Sequence, residues 1–486
     1  MSEPRVMPST IDYSTMLPLS IPAMASRRKF FPSNGSTFSR QGNRQIRIEV
    51  GHPSALLDPS HSYLDFRVQN AGAATFGVDL GGANCFFENI RIEQGGKLLS
   101  YTQASNRLHS AILSPVQMSS EGLATASITE LNKGYNGAGA SSVLPTAVGN
   151  SAQAYDIARH NDQGFNAAGR THRLTMPITS GLFSQDKLIP LPLVDPHAPI
   201  TIVLDLTLPQ DVGAWSAPPG VADIVIVECA YIAHLIEVGP DVIDQFRMVQ
   251  QQMGGQLALS GQDYEYFSQG LAAATPGQVA LSCPARKRSI KSIFWCSQSN
   301  TYANTFGGLV QSAVYSTSFC GSANIESYQF RVGPIQYPPT PVQCWGDTTA
   351  VGAEFTRGEA LMELAKAVGT MSKTNPTGVL SAITYGTDLI GLASGENGIA
   401  GAPNVTQCPV SNNKLMVCPF GISMDSFMRD VAESGVDSQT LAQETVLQLN
   451  WAPGVNSGAE AQIVHMWVLF DQHYYFNSDG SVSYSN

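Results

Sequence analysis

The stretch GGANCFFENIRIEQGG, Gly81 to Gly96, decides how the rest of the chain is read. Its second half alternates apolar Ile90 and Ile92 with polar Asn89, Arg91 and Glu93, the period of a half-buried strand, and Gly95-Gly96 supplies a turn. The pattern recurs in GSANIESYQFRVGPIQ: Gly81, Ala83, Asn84 and Arg91 return as Gly321, Ala323, Asn324 and Arg331, each 240 positions on. Further along, Pro177, Phe183 and Asp195 match Pro419, Phe427 and Asp437, and Leu204 and Leu206 of VLDLTL match Leu447 and Leu449 of VLQLNW, at offsets of 242 to 244. One short match is coincidence. Several in the same order at nearly one offset imply an internal duplication, with each copy a β domain of about 200 residues.

Period-2 segments dominate both copies. IRIEV (46–50), YLDFRV (63–68), ITIVLDLTL (200–208), KSIFWCSQ (291–298), ETVLQLNW (444–451) and AQIVHMWVLFDQHYYF (461–476) read as strands, and Asp479-Gly480 as a hairpin turn. Helices are few. YTQASNRLHSAILS and TRGEALMELAKAVG each place apolar residues on one face, the second ending at Gly369. PDVIDQFRMVQQQMG has Pro240 at its start and Gly254 at its end, a linker helix between the copies. The expected division is a basic arm over 1–41, a first β domain over 42–239, the linker helix over 240–254 and a second β domain over 255–486. Segments 132–153 and 374–407 read as long surface loops.

Hydrophobic residues make up 43% of the 486, enough for a large core, while charged residues make up only 13%. So small a charged share suits a protein that hides its flanks against neighbours, or a loop-rich β protein with a Ser/Asn/Gly/Gln surface. Net charge is −11 and uneven: residues 1–50 carry seven basic groups against three acids, leaving −15 elsewhere. Arg27, Arg28, Lys29, Arg40 and Arg44 therefore mark candidate contacts with nucleic acid or anionic lipid, against the plain reading of a charged terminus. None of the eight cysteines forms a C-x-x-C pair, so free thiols are expected. No secretory h-region opens the chain, and no apolar run approaches the ~20 residues of a membrane span.

Catalytic signatures are missing. The sequence contains no P-loop, no H-E-x-x-H and no G-x-S-x-G, and GAGASS (137–142) lacks the third glycine of a dinucleotide loop. His160, Asp162 and His172 read as a solvated polar loop rather than metal ligands, and His234 and His465 as core or edge residues. Neither a metal nor a cofactor is expected.

Two stacked domains of short alternating strands and long loops suggest sandwiches of the jelly-roll kind. Three segments carry a more specific likeness: FSRQGNRQIRIEVGHPSALLDPSHSYLDFRV (38–68), CFFENIRIEQGGKLLSYTQASNRLHSAI (85–112), and ESGVDSQTLAQETVLQLNW (433–451) with the closing FNSDGSVSY. In these the chain resembles the double-jelly-roll major capsid proteins of double-stranded DNA viruses, the lineage of the adenovirus hexon and of virophage, polinton-like and giant-virus capsids. The resemblance implies an all-β fold of two tandem eight-stranded jelly-roll barrels with short helices and long surface loops. It implies a structural, non-enzymatic subunit of the virion, made in the host cytoplasm or nucleus, whose homotrimers form pseudo-hexameric capsomers of an icosahedral shell. Partners would be neighbouring capsomers and minor capsid and penton proteins, with the arm turned inward to genomic DNA or an internal membrane. Two other readings remain: a single-jelly-roll capsid protein with a projecting β domain, and a carbohydrate-active β-sandwich.

Overall fold

The computed structural model describes residues 23–73, 76–78, 81–117, 129, 169–185, 187–215, 219–299, 317, 320, 325–344, 358–369, 418–425, 435–439, 444–454, 456–457 and 461–485. Both expected long loops, the anchors Gly321, Ala323, Asn324 and Phe427, and the pair His160 and Asp162 lie outside them.

Eight main strands build the first half: β1 (Ala23–Phe30), β2 (Gln45–Val50), β3 (Ala55–Asn70), β4 (Phe87–Gln94), β5 (Lys97–Thr102), β6 (Thr171–Met176), β7 (Ile200–Leu206) and β8 (Ile224–Val238). Eight more build the second: β9 (Gln256–Leu271), β10 (Gln278–Cys283), β11 (Ile290–Ser299), β12 (Ser327–Val332), β13 (Ile335–Gln343), β14 (Phe420–Ser423), β15 (Thr445–Asn450) and β16 (Gln462–Asn477). A last strand, β17 (Val482–Ser485), folds back on β16 through the Asp479-Gly480 turn.

The first half forms antiparallel sheets ordered β1-β8-β3-β6 and β2-β7-β4-β5, and the second forms β9-β16-β11-β14 and β10-β15-β12-β13. Adding eight to each strand number turns one pair of sheets into the other. Within each half the order is 1-8-3-6 against 2-7-4-5, the interleaved Greek-key winding of a jelly roll. The chain is two tandem jelly rolls.

Register confirms the repeat at single residues. Ile90 and Arg91 pair with Leu204 and Val203, and Phe330 and Arg331 pair with Leu447 and Val446. Anchors matched separately along the chain are thus cross-strand neighbours in both halves. Asp195 and Asp437 make the same Asx turn, each Oδ1 accepting an N–H two residues on at 2.9 Å, from His197 and Gln439. One anchor fails: Pro177 follows β6 whereas Pro419 precedes β14, so their equal offset is accidental.

Among the described residues three longer helices accompany the sheets: α1 (residues 105–117, with a wider π turn over Leu108–Leu113), α2 (Pro240–Gln252) and α3 (Gly358–Val368). They fall where the apolar spacing places them. Helix α2 ends at Gly254 and α3 at Gly369, both at φ +78°, a backbone conformation that favours glycine.

The expected arm over 1–41 requires correction. Residues 23–30 are strand β1, paired along their whole length with β8 from Ala23↔Val238 to Phe30↔Tyr231. Phe38–Ser39 also pairs with β8. The propensity of AMASRRKF is poor and its residues are mostly exposed. It is held at the sheet edge by main-chain hydrogen bonds rather than by a buried face, so no alternation announces it.

Candidate assembly surfaces

The five cations singled out from sequence do not share one site. Arg27, Arg28 and Lys29 lie on β1 opposite His234, Ala233 and Ile232. Because Tyr231, Ala233 and Leu235 are core residues, Ser26, Arg28 and Phe30 share their side of the sheet and Arg27 and Lys29 take the other. Arg27 donates to Tyr63 Oη at 3.3 Å, and the Arg28 guanidinium sits 5.3 Å from the Phe30 ring centre. Arg40 is engaged elsewhere, with Glu88 at 3.1 Å and the Leu206 carbonyl. Arg44 is exposed in the turn before β2.

The two barrels meet over a large, mixed junction. Helix α1 follows β5 of the first barrel, yet Leu108, Ala111, Ile112, Leu113 and Val116 belong to the core cluster of the second. Along β16, His465 and Trp467 alternate with core Val464, Met466 and Val468, so they point away from the barrel interior and meet the α1 region instead. Trp467 Nε1 donates to the Gln103 carbonyl at 3.3 Å. Arg107 donates to Gln298 Oε1 at 3.2 Å and reaches His465 Nε2 at 3.1 Å. Arginine cannot accept, so His465 Nε2 is the bare nitrogen and Nδ1–H faces Tyr266 Oη at 2.6 Å. Burial, aided by the Arg107 charge, holds His465 well below the usual histidine range, and it is neutral.

Farther along the junction, β9, β16 and β17 reach into the first barrel. Leu259, Tyr474, Phe476 and Val482 join its core cluster, with Leu257 packed against it. Gln472 Nε2 donates to the Leu99 carbonyl on edge strand β5 at 3.1 Å, and Gln94 bonds both the Gly480 carbonyl and the Val482 N–H, at 2.8 and 2.6 Å. A Cβ on Gly261 would lie 2.0 Å from the Gly181 carbonyl oxygen, so the two backbones touch there. Gly81 has a similar role: a Cβ would stand 2.5 Å from Ser110 Oγ of α1. Asp263 is buried at this seam, accepting from Tyr264 N at 2.9 Å, and burial raises its carboxyl above the usual range.

Other buried polar groups stabilise single barrels. Lys291 is enclosed with Asp425 at 2.9 Å and Asp471 at 3.7 Å. The seven described cysteines are buried thiols, and burial pushes Cys283 up to about 12. Among the described residues no three of His, Cys, Asp or Glu are placed to hold a metal ion, and no helix is long and apolar enough to cross a membrane. His172 lies on β6, opposite Val68. Sequence reasoning overlooked Arg107, Gly181, Gly261 and Asp263. The only trace was the placing of Arg107 beside Leu108 in the helical pattern of YTQASNRLHSAILS.

No family model and no curated protein matches this sequence. Solved structures do match the fold over nearly its whole length. VP54 of PBCV-1, fitted into a reconstruction of the virophage Sputnik, superposes with a TM-score of 0.53 at 10% identity, covering 98% of this chain and 99% of VP54. A chain of the Sputnik virophage itself gives 0.52 at 10% identity over 100% of this chain and 92% of its own length. The Faustovirus major capsid protein gives 0.51 at 9% over 97% and 92%. At such identities the likeness is one of fold. This chain shares its architecture, two jelly rolls in tandem, with these virus structures.

Proposed function

We propose that this chain is a major capsid protein, the structural subunit of an icosahedral virus shell. The observation that supports the reading most is the repeated jelly roll matched end to end: 98% of this chain against 99% of VP54 leaves almost no part of either protein over. A single jelly roll with a projecting domain does not repeat its strand order. The low charged share, 13%, agrees with flanks that pack on neighbours.

In this reading three copies close about a threefold axis, their six barrels giving a pseudo-hexameric capsomer, since a closed symmetric ring buries flanks that water covers poorly. The chain divides into a first barrel beginning at β1, the α2 linker and a second barrel. Its partners are adjoining capsomers and the minor and penton proteins of the shell, its place is the virion after synthesis in the host cytoplasm or nucleus, and its role is not enzymatic. Arg27, Arg28, Lys29 and Arg44, all exposed, are the cations among the described residues of this stretch that are available for genome or membrane on the inner side. Arg40 is already committed to Glu88.

Native mass measurement tests the core of the proposal. Three chains of 51.9 kDa give a capsomer of about 156 kDa. A stable monomer at micromolar concentration with no larger species would sink it, and glycan hydrolysis by the purified protein would put the carbohydrate-active reading in its place. Binding to duplex DNA or anionic vesicles that weakens steeply with salt, and that is both weaker and less salt-dependent in Arg27→Gln/Lys29→Gln/Arg44→Gln, tests the inner-side contact.

A further inference from the structure

We propose that edge strand β1 of the first barrel docks on the β12–β13 hairpin of the second barrel of another copy of this chain, with Met24 and Ile335 at the contact. The inference rests on the oligomeric reading above and gives it residues.

The argument starts from the contact already inside one chain. There, the edge strand of the second barrel, β9, turns Leu257, Leu259 and Gly261 toward the first barrel. The receiving surface is the β4–β5 hairpin, which also bonds the strand beside β9 and its return: Leu99 accepts from Gln472 of β16, and Gln94 bonds Gly480 of the turn and Val482 at the start of β17. Each barrel has both surfaces, because each has the same strand order. Among the described residues of one chain only one of each is used. The edge strand of the first barrel and the hairpin of the second are left over.

Both leftovers have the character of uncovered contacts. Counted from the first residue of each strand, Met24 and Ser26 on β1 stand where Leu257 and Leu259 stand on β9. Yet Met24 is 63% exposed, while its counterpart Leu257 is half-buried against the core of the first barrel. On the hairpin, Ile335 opposite Val332 matches Lys97 opposite Gln94, and Ile335 is 52% exposed. Exposed apolar residues of this size at both ends of a repeated contact favour a matching partner over water.

Proline directs the form of the contact. Pro338, Pro339 and Pro341 remove N–H donors from β13, so it cannot add a further strand along its whole edge. Inside the chain the equivalent edge, β5, is likewise met by side chains rather than by a strand, through Gln472. A second copy seated the same way makes a head-to-tail contact. Such contacts either close into a ring or continue as an open array, and closure after three chains uses every copy of both surfaces.

The test is thiol cross-linking of the full-length Met24→Cys/Ile335→Cys protein with a flexible bismaleimide, analysed on denaturing gels beside each single variant. The double variant is expected to give dimer and trimer bands and nothing larger, and the single variants neither. A native trimer of the double variant that does not cross-link overturns the pairing while leaving the oligomer intact. Bands that continue beyond three overturn closure. A wild-type monomer by native mass removes the oligomer beneath it. As an independent measure, Met24→Asp and Ile335→Asp should each weaken capsomer association about tenfold or more. The circular dichroism and melting of the separated subunit should stay unchanged; equal association by wild type and both variants overturns the contact.

Discussion

The two barrels share a strand order and differ in what covers them. Among the described residues, hairpin β4–β5 of the first barrel meets the second barrel while edge strand β1 is mostly exposed. In the second, edge strand β9 reaches into the junction while the outer strand β13 of hairpin β12–β13 is mostly exposed or half-buried. The helices differ likewise: α3 lies over its own barrel, with Leu364 and Ala367 against Gly421 and Phe294, whereas α1 crosses to the other. Copies of one domain that touch each other cannot keep identical surfaces. The sites where they touch accumulate glycines and buried polar groups that the repeat itself does not need.

The comparison is broken most severely from inside. Trp295 is fully buried in the second barrel, stacked on Phe420 at 4.4 Å and edge-on to Tyr328. Trp295→Ala should cost about 4 kcal/mol. Since α1 of the first barrel is packed into this same core, both barrels should melt earlier in one transition. A first barrel that keeps its melting point while the second unfolds would show two independent units.

Next in size is the backbone contact. Gly261→Ala places a methyl group against the Gly181 carbonyl, which belongs to rigid chain, and should cost about 3 kcal/mol. Gly270→Ala on the same strand meets nothing within 4 Å and serves as the control, expected within about 1 kcal/mol of wild type. Equal denaturation midpoints for the two variants would remove the contact from the junction.

Legibility followed the same division. Strands with one buried face, such as Gln45–Val50 and Ile200–Leu206, were readable because alternation reports a single covered side. Strand β16 was readable as a strand, but not what covers it: Val464 and Met466 face the barrel and His465 and Trp467 face the α1 region, so both sides are covered. Strand β1 was hidden because it has almost no covered side. The five cations were visible as charge, but their partition between two sides of β1, an ion pair and a turn depends on pairing that charge counting does not contain. Arg107 and His465 are 358 positions apart, and nothing local joins them.

That pair supplies the third prediction. Arg107→Met keeps most of the aliphatic stem and removes the donors to Gln298 and His465, at a cost of about 2 kcal/mol. Combining it with His465→Gln should cost less than the sum of the single changes, because each already breaks the shared bond. Strict additivity in chemical denaturation would mean that α1 is held by its apolar face alone.

The smallest effect has the opposite sign. Asp263 is a carboxyl buried at the seam, where Thr102 Oγ1 at 3.4 Å and Tyr264 N at 2.9 Å bond it and the Lys287 charge favours its ionised form, but burial outweighs them and raises its pKa. Below an ordinary carboxylate pKa of about 3.9 the folded and unfolded chains both hold this proton. As pH rises above that value, the unfolded chain releases its proton first, so the folded state loses stability until its own raised pKa is passed, and the loss is then constant. Asn keeps an acceptor for the Tyr264 N–H and has no proton to lose. Asp263→Asn should therefore match wild type near pH 3.5 and gain on it as pH rises, to about 1 kcal/mol at pH 8. A variant less stable than wild type at pH 8 would mean that the seam holds the carboxylate ionised and that its hydrogen bonds outweigh its burial.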